Sequence, residues 1–353
     1  MSEKIFLQII EPDDWHLHLR DGDVLKAVLP YTVRQFNRAI IMPNLDPPIT
    51  SVRDALAYRN RINKAVPENF NFAALMTLYL TDETSLEEIK NGKIKNILFG
   101  AKLYPAGATT NSSRGVTDVK KIYRVFECME KIGLPLLVHG EVTDKSVDIF
   151  DREAVFIERV LDPLVRNFPD LKVVFEHISS AEGVQFVENS STNVGATVTP
   201  HHLLINRNAI FNGGIRPHMY CLPIAKTKHD QLELRRAVTS GSEKFFLGTD
   251  SAPHLIGEKE SSCGCAGIFS APCALELYAQ VFEEENALEK FESFASINGP
   301  RFYGLPLNSK YIRLERVKSR VRERVVTHEG LEIQPFLAGE ELSWTLLSTA
   351  IGA

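Results

Sequence analysis

Residues 118–140 read DVKKIYRVFECMEKIGLPLLVHG and hold one structural unit in miniature. Val119, Ile122, Val125, Phe126 and Met129 recur at intervals of three and four, which lays them along one face of a helix over Asp118–Ile132. Gly133 stands just past that face, where a residue without a Cβ can end a helix in the left-handed conformation. Leu134–Val138 is then a short apolar run of strand length, and it delivers His139 at its end.

The same alternation extends in both directions. Strands are expected at Phe6–Ile10, Ala39–Met42, Phe72–Leu78, Ile97–Lys102, Leu134–Val138, Lys172–Phe175, Val194–Val198 and Phe245–Leu247. Helical spacing occupies Val52–Val66 (closed by Pro67), Asp148–Val165, Ser180–Asn189, Asp230–Thr239 and Ala271–Glu284. Eight strands alternating with helices over roughly 250 residues fit a (β/α)8 TIM barrel. An open doubly wound sheet is the competing arrangement and would put the site at a switch point. From about Asn308 the alternation breaks, so residues 308–353 read as a C-terminal extension packing on a barrel of residues 1–307. No internal repeat and no low-complexity linker interrupts the chain.

Composition narrows the function classes. The 353 residues are 44% hydrophobic and 24% charged, an ordinary globular mixture. A net charge of −5 and a pI near 6.1 argue against a nucleic-acid partner, which calls for a basic face. No apolar run reaches the length of a membrane span, and MSEKIFLQIIEPDDW turns acidic too soon for a signal peptide. Five cysteines are an odd, sparse set, which points to a reducing, cytoplasmic setting.

Metal-type side chains lie just beyond the expected strands. After the first comes DDWHLHLRDG, whose His16 and His18 are two apart and point the same way on an extended segment. Lys102 ends the fourth, His139 follows the fifth and His177 the sixth, and FLGTDSAPH after the eighth supplies Asp250 and His254. In a barrel all these ends face one mouth. Each residue alone has a blander reading: a bonded loop histidine, a helix-capping Asp250, a surface Lys102. Their joint placement points instead to a metal site. Imidazoles and a carboxylate without clustered thiolates suit zinc or a similar divalent ion, and four histidines and an aspartate suffice for two. Lys102 beside dications would lose its proton, and a neutral amine there can add carbon dioxide to give a bridging carbamate. A Schiff-base lysine or a carboxylate clamp stays open on chemistry alone.

Other candidates carry less. His201 and His202 suit packing or support of the ligands. His218, His229 and His328 lack partners in sequence. Cys221, Cys263, Cys265 and Cys273 read as ordinary thiols, since the CxC spacing is tighter than a structural zinc site uses. FEEENALEKFESF, residues 282–294, reads as an amphipathic helix for core or dimer contact. Dinucleotide and triphosphate loops are absent.

DDWHLHLRDG, AKLYPAGATTNSS, LLVHGE, VVFEHIS and FLGTDSAPH, in this order, resemble the amidohydrolase superfamily. IIMPNLDPP, YCLPIAK and ESSCGCAGIF narrow the likeness to the bacterial-type dihydroorotases, over most of the chain. The resemblance implies two zinc ions per subunit. His16, His18 and Asp250 would hold the more buried one and His139 and His177 the second, with a hydroxide and carbamylated Lys102 (N6-carboxylysine) bridging them. It implies that Arg20, Asn44 and His254 hold a substrate carboxylate, that backbone groups of Leu222 and Ala266 address the ring edge, and that His139 also contacts substrate. The implied reaction converts N-carbamoyl-L-aspartate reversibly to L-dihydroorotate and water, in pyrimidine synthesis, by a homodimer.

The chemistry is self-consistent. Metals supply a nucleophile from water at neutral pH and polarise the carbonyl, while Asp250 takes and returns a proton. Arg20, two residues past His18, offers a planar fork for a carboxylate, a salt bridge to Asp21 or Asp23 being its ordinary alternative. Asn44 has as its ordinary alternative a turn residue before Asp46–Pro47–Pro48, and the site role is preferred. Pro105–Gly115 is read as a lid whose Thr109 and Thr110 bond the substrate, against a flexible surface loop. A hydantoin- or allantoin-type hydrolase, an inert metal-free barrel and a Schiff-base aldolase are the alternatives.

Overall fold

In a computed structural model describing residues 4–351, two strands open the chain, β1 (Phe6–Ile10) and β2 (Asp13–Leu17). There follow β3 (Arg38–Ile41), β4 (Ala73–Tyr79), β5 (Leu98–Leu103), β6 (Leu136–Val138), β7 (Val173–Phe175), β8 (Val194–Val198) and β9 (Phe245–Leu247). Strands β2 to β9 pair in chain order, each parallel to the next, with helices between them. The ring closes through backbone bonds from Asp250 N to His16 O (2.9 Å) and from His18 N to Ser251 O (3.1 Å). This is the TIM barrel that the alternation implies, and the seam of its closure is built from candidate ligand segments.

One expected strand is displaced. Phe6–Ile10 is not in the barrel: β1 pairs antiparallel with β10 (Tyr311–Glu315), Phe6 facing Glu315 and Ile10 facing Tyr311. The first barrel strand is Asp13–Leu17, and every residue of it is buried. Its polarity hides it in the sequence, and internal partners make that polarity tolerable. Arg38 grips Asp13 with two bonds of 2.9 and 2.6 Å, and Asp14 accepts from Thr249 N (2.9 Å) and Thr249 Oγ1 (2.5 Å).

Period-two alternation sorts the barrel residues into two layers. Ile40, Met42, Leu75, Leu137, Val174 and Phe246 form the inner cluster, with Trp15 stacked on Tyr303 at 4.4 Å. Ile41, Met76, Leu78, Leu136, Val138 and Phe175 face the helices. Strand β2 carries one extra residue against β3, since Asp14 pairs with Ala39 but Leu17 with Ile41. That bulge leaves Trp15 in the inner cluster and Leu17 in the outer one.

The helices follow their caps. Ser51 accepts from Asp54 N at the start of Val52–Ala65, and Gly133 closes Tyr123–Ile132 at φ +63. Two further helices, Gly22–Val33 and Leu86–Ile94, start at Asp21 and Ser85. The stretch expected as a helix over 148–165 begins only at Arg152 and passes through a wide turn at Ile157–Leu161. Residues 282–294 are not one helix. Asn286 takes φ +54 and breaks them, while Phe282, Phe291 and Phe294 still enter the core.

Beyond β10 come β11 (Ser319–Arg320), β12 (Val325–Val326), β13 (Glu332–Ile333), β14 (Glu341–Leu342) and β15 (Thr345–Ile351). Strands β1, β10 and β15 form one sheet, and β11 with β14 and β12 with β13 form two small ribbons. Among the described residues, no helix is long and apolar enough to cross a membrane.

Candidate metal centre and substrate pocket

His16, His18 and Asp250 meet at one point. His16 Nε2 lies 3.3 Å from His18 Nε2 and 3.3 Å from Asp250 Oδ1, and His18 Nε2 lies 3.1 Å from the same oxygen. All three residues are buried. A second donor group, His16 with Glu176 and His177, adjoins the first. Glu176 Oε1 stands 3.0 Å from His16 Nδ1, and Lys102 Nζ donates to Glu176 Oε2. His139 and His177 rings face edge-on at 4.9 Å, and His139 Nε2 is bonded to Glu141 Oε2 at 2.8 Å. The Nε2 edge of His139 is therefore engaged, which leaves Nδ1 as the nitrogen for other work.

The local backbone is forced to serve this cluster. Arg20, His177 and Asp250 adopt φ +55, +44 and +42, conformations that residues with a Cβ seldom take. Such outliers gather where a site over-determines the chain.

Electrostatics match a cation. Burial opposes charge on His16, but the Glu176 and Asp250 carboxylates outweigh it and lift His16 to about 9. Burial lowers His18 to about 4, and burial followed by Lys102 holds His177 well below the imidazole range. Burial works to raise Asp250, but the charge of His16 and bonds from His16 and His18 keep it well below the carboxylate range. Burial pushes Lys102 down, with Glu176 pulling the other way. The set thus joins an ionised Asp250 carboxylate to neutral imidazoles on His18 and His177, with His16 holding a proton that a bound cation would displace and His177 Nδ1 buried without a hydrogen-bond partner. Those are the donors that a borderline divalent ion takes.

A narrow pocket rises from this floor, lined among others by Arg20, Asn44, Thr109, Thr110, Leu222 and Ala266. Most of the residues expected at the site are therefore brought together. A wider groove of about 500 Å³ adjoins it past Arg20, Asn44 and Asn111. Arg20 is not paired with Asp21 or Asp23: Asp21 binds Arg61 at 2.7 Å, and Asp23 accepts from Glu329 N at 2.9 Å. Arg20 Nε donates to Pro253 O (3.0 Å) and Nη2 to His254 Nε2 (3.0 Å). His254 Nε2 also lies 3.1 Å from Ala266 O, and its Nδ1 lies 3.4 Å from Glu258. His254 also lines a neighbouring recess with Arg20 and Thr110.

The 105–115 segment lies over the pocket. Asn44 Nδ2 donates to Thr110 O (3.1 Å), Asn111 Nδ2 donates to Asn44 O (3.1 Å), and Thr110 Oγ1 reaches Ala266 O (3.4 Å).

Three residues of the site escaped sequence reading: Glu176, Glu141 and Lys259. The first two sit beside His177 and two beyond His139, so proximity to a ligand motif was their one signal. Lys259 is buried, and its ammonium donates to Tyr220 O (2.8 Å), Cys265 O (2.8 Å) and Gly267 O (2.7 Å). Nothing in the sequence announces that clamp. His201 and His202 lie off the cluster, behind the pocket wall with Cys221.

Comparison with known proteins agrees with this geometry. Residues 9–309 match the model of the amidohydrolase family. The dihydroorotase of Sphingopyxis alaskensis is 59% identical over 97% of this chain and 99% of its own length. That of Serratia proteamaculans is 58% identical over 96% and 97%. Among solved structures, the dihydroorotase of Campylobacter jejuni superposes with a TM-score of 0.90 at 36% identity, covering 98% of each chain. The Saccharomyces cerevisiae dihydroorotase in complex with 5-fluoroorotic acid gives 0.89 at 32%, covering 97% of this chain and 99% of its own. An L-hydantoinase from Arthrobacter aurescens shares the fold at 0.80 but is 15% identical, over 98% of this chain and 85% of its own. The chain belongs to the amidohydrolase family, on the branch that the dihydroorotases occupy.

Proposed function

We infer that this protein is a dihydroorotase, catalysing the reversible cyclisation of N-carbamoyl-L-aspartate to (S)-dihydroorotate and water in pyrimidine biosynthesis. The observation that carries the reading is Arg20: a guanidinium fork, free of Asp21 and Asp23, in the same pocket as a buried His16–His18–Asp250 donor cluster. A cyclic amide bearing a carboxylate needs both. A hydantoin lacks the carboxylate and gives Arg20 no task.

Two zinc ions fit the donors. His16, His18 and Asp250 would hold one and His139 and His177 the other, with Lys102, as its carbamate, a shared anionic ligand. The lowered proton affinity of Lys102 supports that modification, since only a neutral amine adds carbon dioxide. When bound, such ions would supply a nucleophile from water at neutral pH and would polarise the amide carbonyl.

The chain's own residues do the rest. Asp250 Oδ1, within 3.3 Å of both His16 and His18, accepts a proton on the ring-opening path and returns it to the leaving amide nitrogen. Cyclisation uses the same atom in reverse. Arg20, Asn44 and His254 hold the carboxylate, so both ends of one molecule are fixed before closure, and orientation of this kind can supply about 7–11 kcal/mol. Backbone groups of Leu222 and Ala266, with His139, address the ring, and Thr109 and Thr110 cover it. The division into a barrel of residues 1–307 with an extension of 308–353, a cytoplasmic location and a homodimer complete the proposal.

Dihydroorotate ring opening in the wild type and in Lys102→Ala, with bound metal counted, tests it. The variant is expected to lose at least a thousandfold in turnover and most of its paired metal. Full activity with a full metal complement would remove Lys102 from the centre. Turnover of hydantoin above that of dihydroorotate would overturn the substrate.

A further inference from the structure

Behind the pocket wall lies a second group of ligand-type side chains that the reaction does not use. Strand β8 runs into Thr199, whose hydroxyl caps the helix Pro200–Leu204 by accepting from His202 N at 3.1 Å. That helix places His201 and His202 side by side, ring centroids 4.7 Å apart. Cys221 comes in from the loop before Leu222, its Sγ 3.7 Å from His202 Nε2 and 3.3 Å from Pro223 O. One ligand atom from each of the three lies within 4.8 Å of the others, and all three residues are buried.

Hydrogen bonding accounts for only part of this group. His202 is satisfied: Nε2 donates to Pro223 O at 2.9 Å, and Nδ1 accepts from Thr199 Oγ1 at 2.8 Å. His201 is not. It is 0% exposed, and neither ring nitrogen has a partner. A buried imidazole must leave at least one nitrogen in need of a partner, and such orphans ask for a ligand. The thiol beside it makes that ligand a soft or borderline cation rather than a hard one.

We propose that His201, His202 and Cys221 form a third cation site, separate from the paired centre, that takes zinc or a similarly thiophilic divalent ion. Binding is written with its protons. Cys221 loses its S–H proton to solvent as the sulfur–metal bond forms. His202 moves its proton from Nε2 to Nδ1, where Thr199 Oγ1 turns from donor to acceptor. Nε2 then faces the cation, His201 supplies the third ligand, and one proton is released per ion bound. Pro223 O is left as a neighbouring oxygen for the fourth position.

Cobalt(II) distinguishes this site from the paired centre, whose donors are nitrogen and oxygen alone. The exposed pair Cys263 and Cys265, with sulfurs 3.8 Å apart, is silenced first by Cys263→Ser and Cys265→Ser. Titrated with cobalt, that protein is expected to bind a third equivalent and to develop a thiolate-to-cobalt charge-transfer absorption. Cys221→Ser should abolish the band, and His201→Gln should weaken the third equivalent at least tenfold while leaving the first two in place. X-ray absorption at the cobalt edge, on the protein with the cluster intact, should find a sulfur scatterer at about 2.3 Å. That measurement decides the matter if either cluster variant fails to fold. Absence of both band and sulfur scatterer overturns the site, as does a band that survives Cys221→Ser or a third equivalent indifferent to His201→Gln.

Discussion

Lys259 joins the two backbone segments that form the far wall of the pocket. Its three carbonyl partners, on Tyr220, Cys265 and Gly267, flank Leu222 and Ala266. Hydrogen bonds from a charged donor contribute about 1.5–3 kcal/mol each, so the clamp fixes backbone groups that have no side chain of their own to hold them. Lys259→Met should raise the KM for dihydroorotate about tenfold or more with a smaller change in kcat and intact metal content, and Lys259→Arg should recover part of the loss. An unchanged KM in folded Lys259→Met would dismiss the clamp. Burial lowers Lys259 to about 8. Above that pH a neutral amine has two protons for three carbonyls, so KM should climb through pH 8, and this rise should be missing in Lys259→Arg. Stability moves the opposite way. The folded state sheds this proton before the unfolded state does, so between about pH 8 and the ordinary lysine value of 10.5 the group makes folding more favourable as pH rises. Sequence could not disclose Lys259, because its partners are main-chain carbonyls assembled from two loops. Glu176 was hidden differently, since a carboxylate next to His177 reads as a neighbour until the fold turns it onto His16 and Lys102. His16, His18, Lys102, His139, His177 and Asp250 were legible because strand ends in a barrel share one mouth.

At the level of single elements, hydrophobic period found the strands whose residues are apolar and failed where polar residues are internally paired. Strand β2, DDWHL, has no apolar alternation to read, because Asp13 and Asp14 are answered by Arg38 and Thr249. FLQII looked like a core strand and is an outer one, with Phe6 and Gln8 exposed. The 105–115 segment shows the reverse, a loop whose composition suggests freedom and whose bonds suggest a seated cover. Gly107 N donates to Ser112 O (3.0 Å), Val116 N donates to Tyr104 O (2.9 Å), and Ala108 and Ser112 are buried. At Gly115 a Cβ would stand 2.3 Å from Tyr104 O, so the segment can return to the barrel only through glycine. With the cover seated, Thr109 and Thr110 line the pocket. Replacing them together, Thr109→Ala with Thr110→Val, removes both hydroxyls at little change in volume. Turnover should fall at least tenfold with metal stoichiometry unaltered, as read by steady-state assay and metal analysis on one preparation. Undiminished turnover would make the segment a bystander.

For the molecule as a whole, the extension and the N-terminal strand depend on each other. Strand β1 finds its hydrogen bonds on β10, and β10 pairs in turn with β15, so the start of the chain is held by its end. Trp344, 0% exposed, donates from Nε1 to Glu283 Oε2 at 3.0 Å and thereby ties the extension to the helix Ala274–Glu284. Leu314 and Leu346 add to the same core. A chain ending at Leu307 would leave β1 as an unpaired edge and uncover the apolar surface beneath Trp344, the combination that favours association between chains. Its soluble yield should fall sharply, and the soluble fraction should unfold at lower temperature than the full chain. Trp344→Ala is the gentler version: truncating a buried aromatic costs about 3–5 kcal/mol, which should lower Tm while leaving the metal content of the His16–His18–Asp250 cluster unchanged. Thermal unfolding alongside metal counting separates the two effects. A truncated chain with unchanged solubility and Tm would mean that the barrel stands alone and that β1 needs no partner.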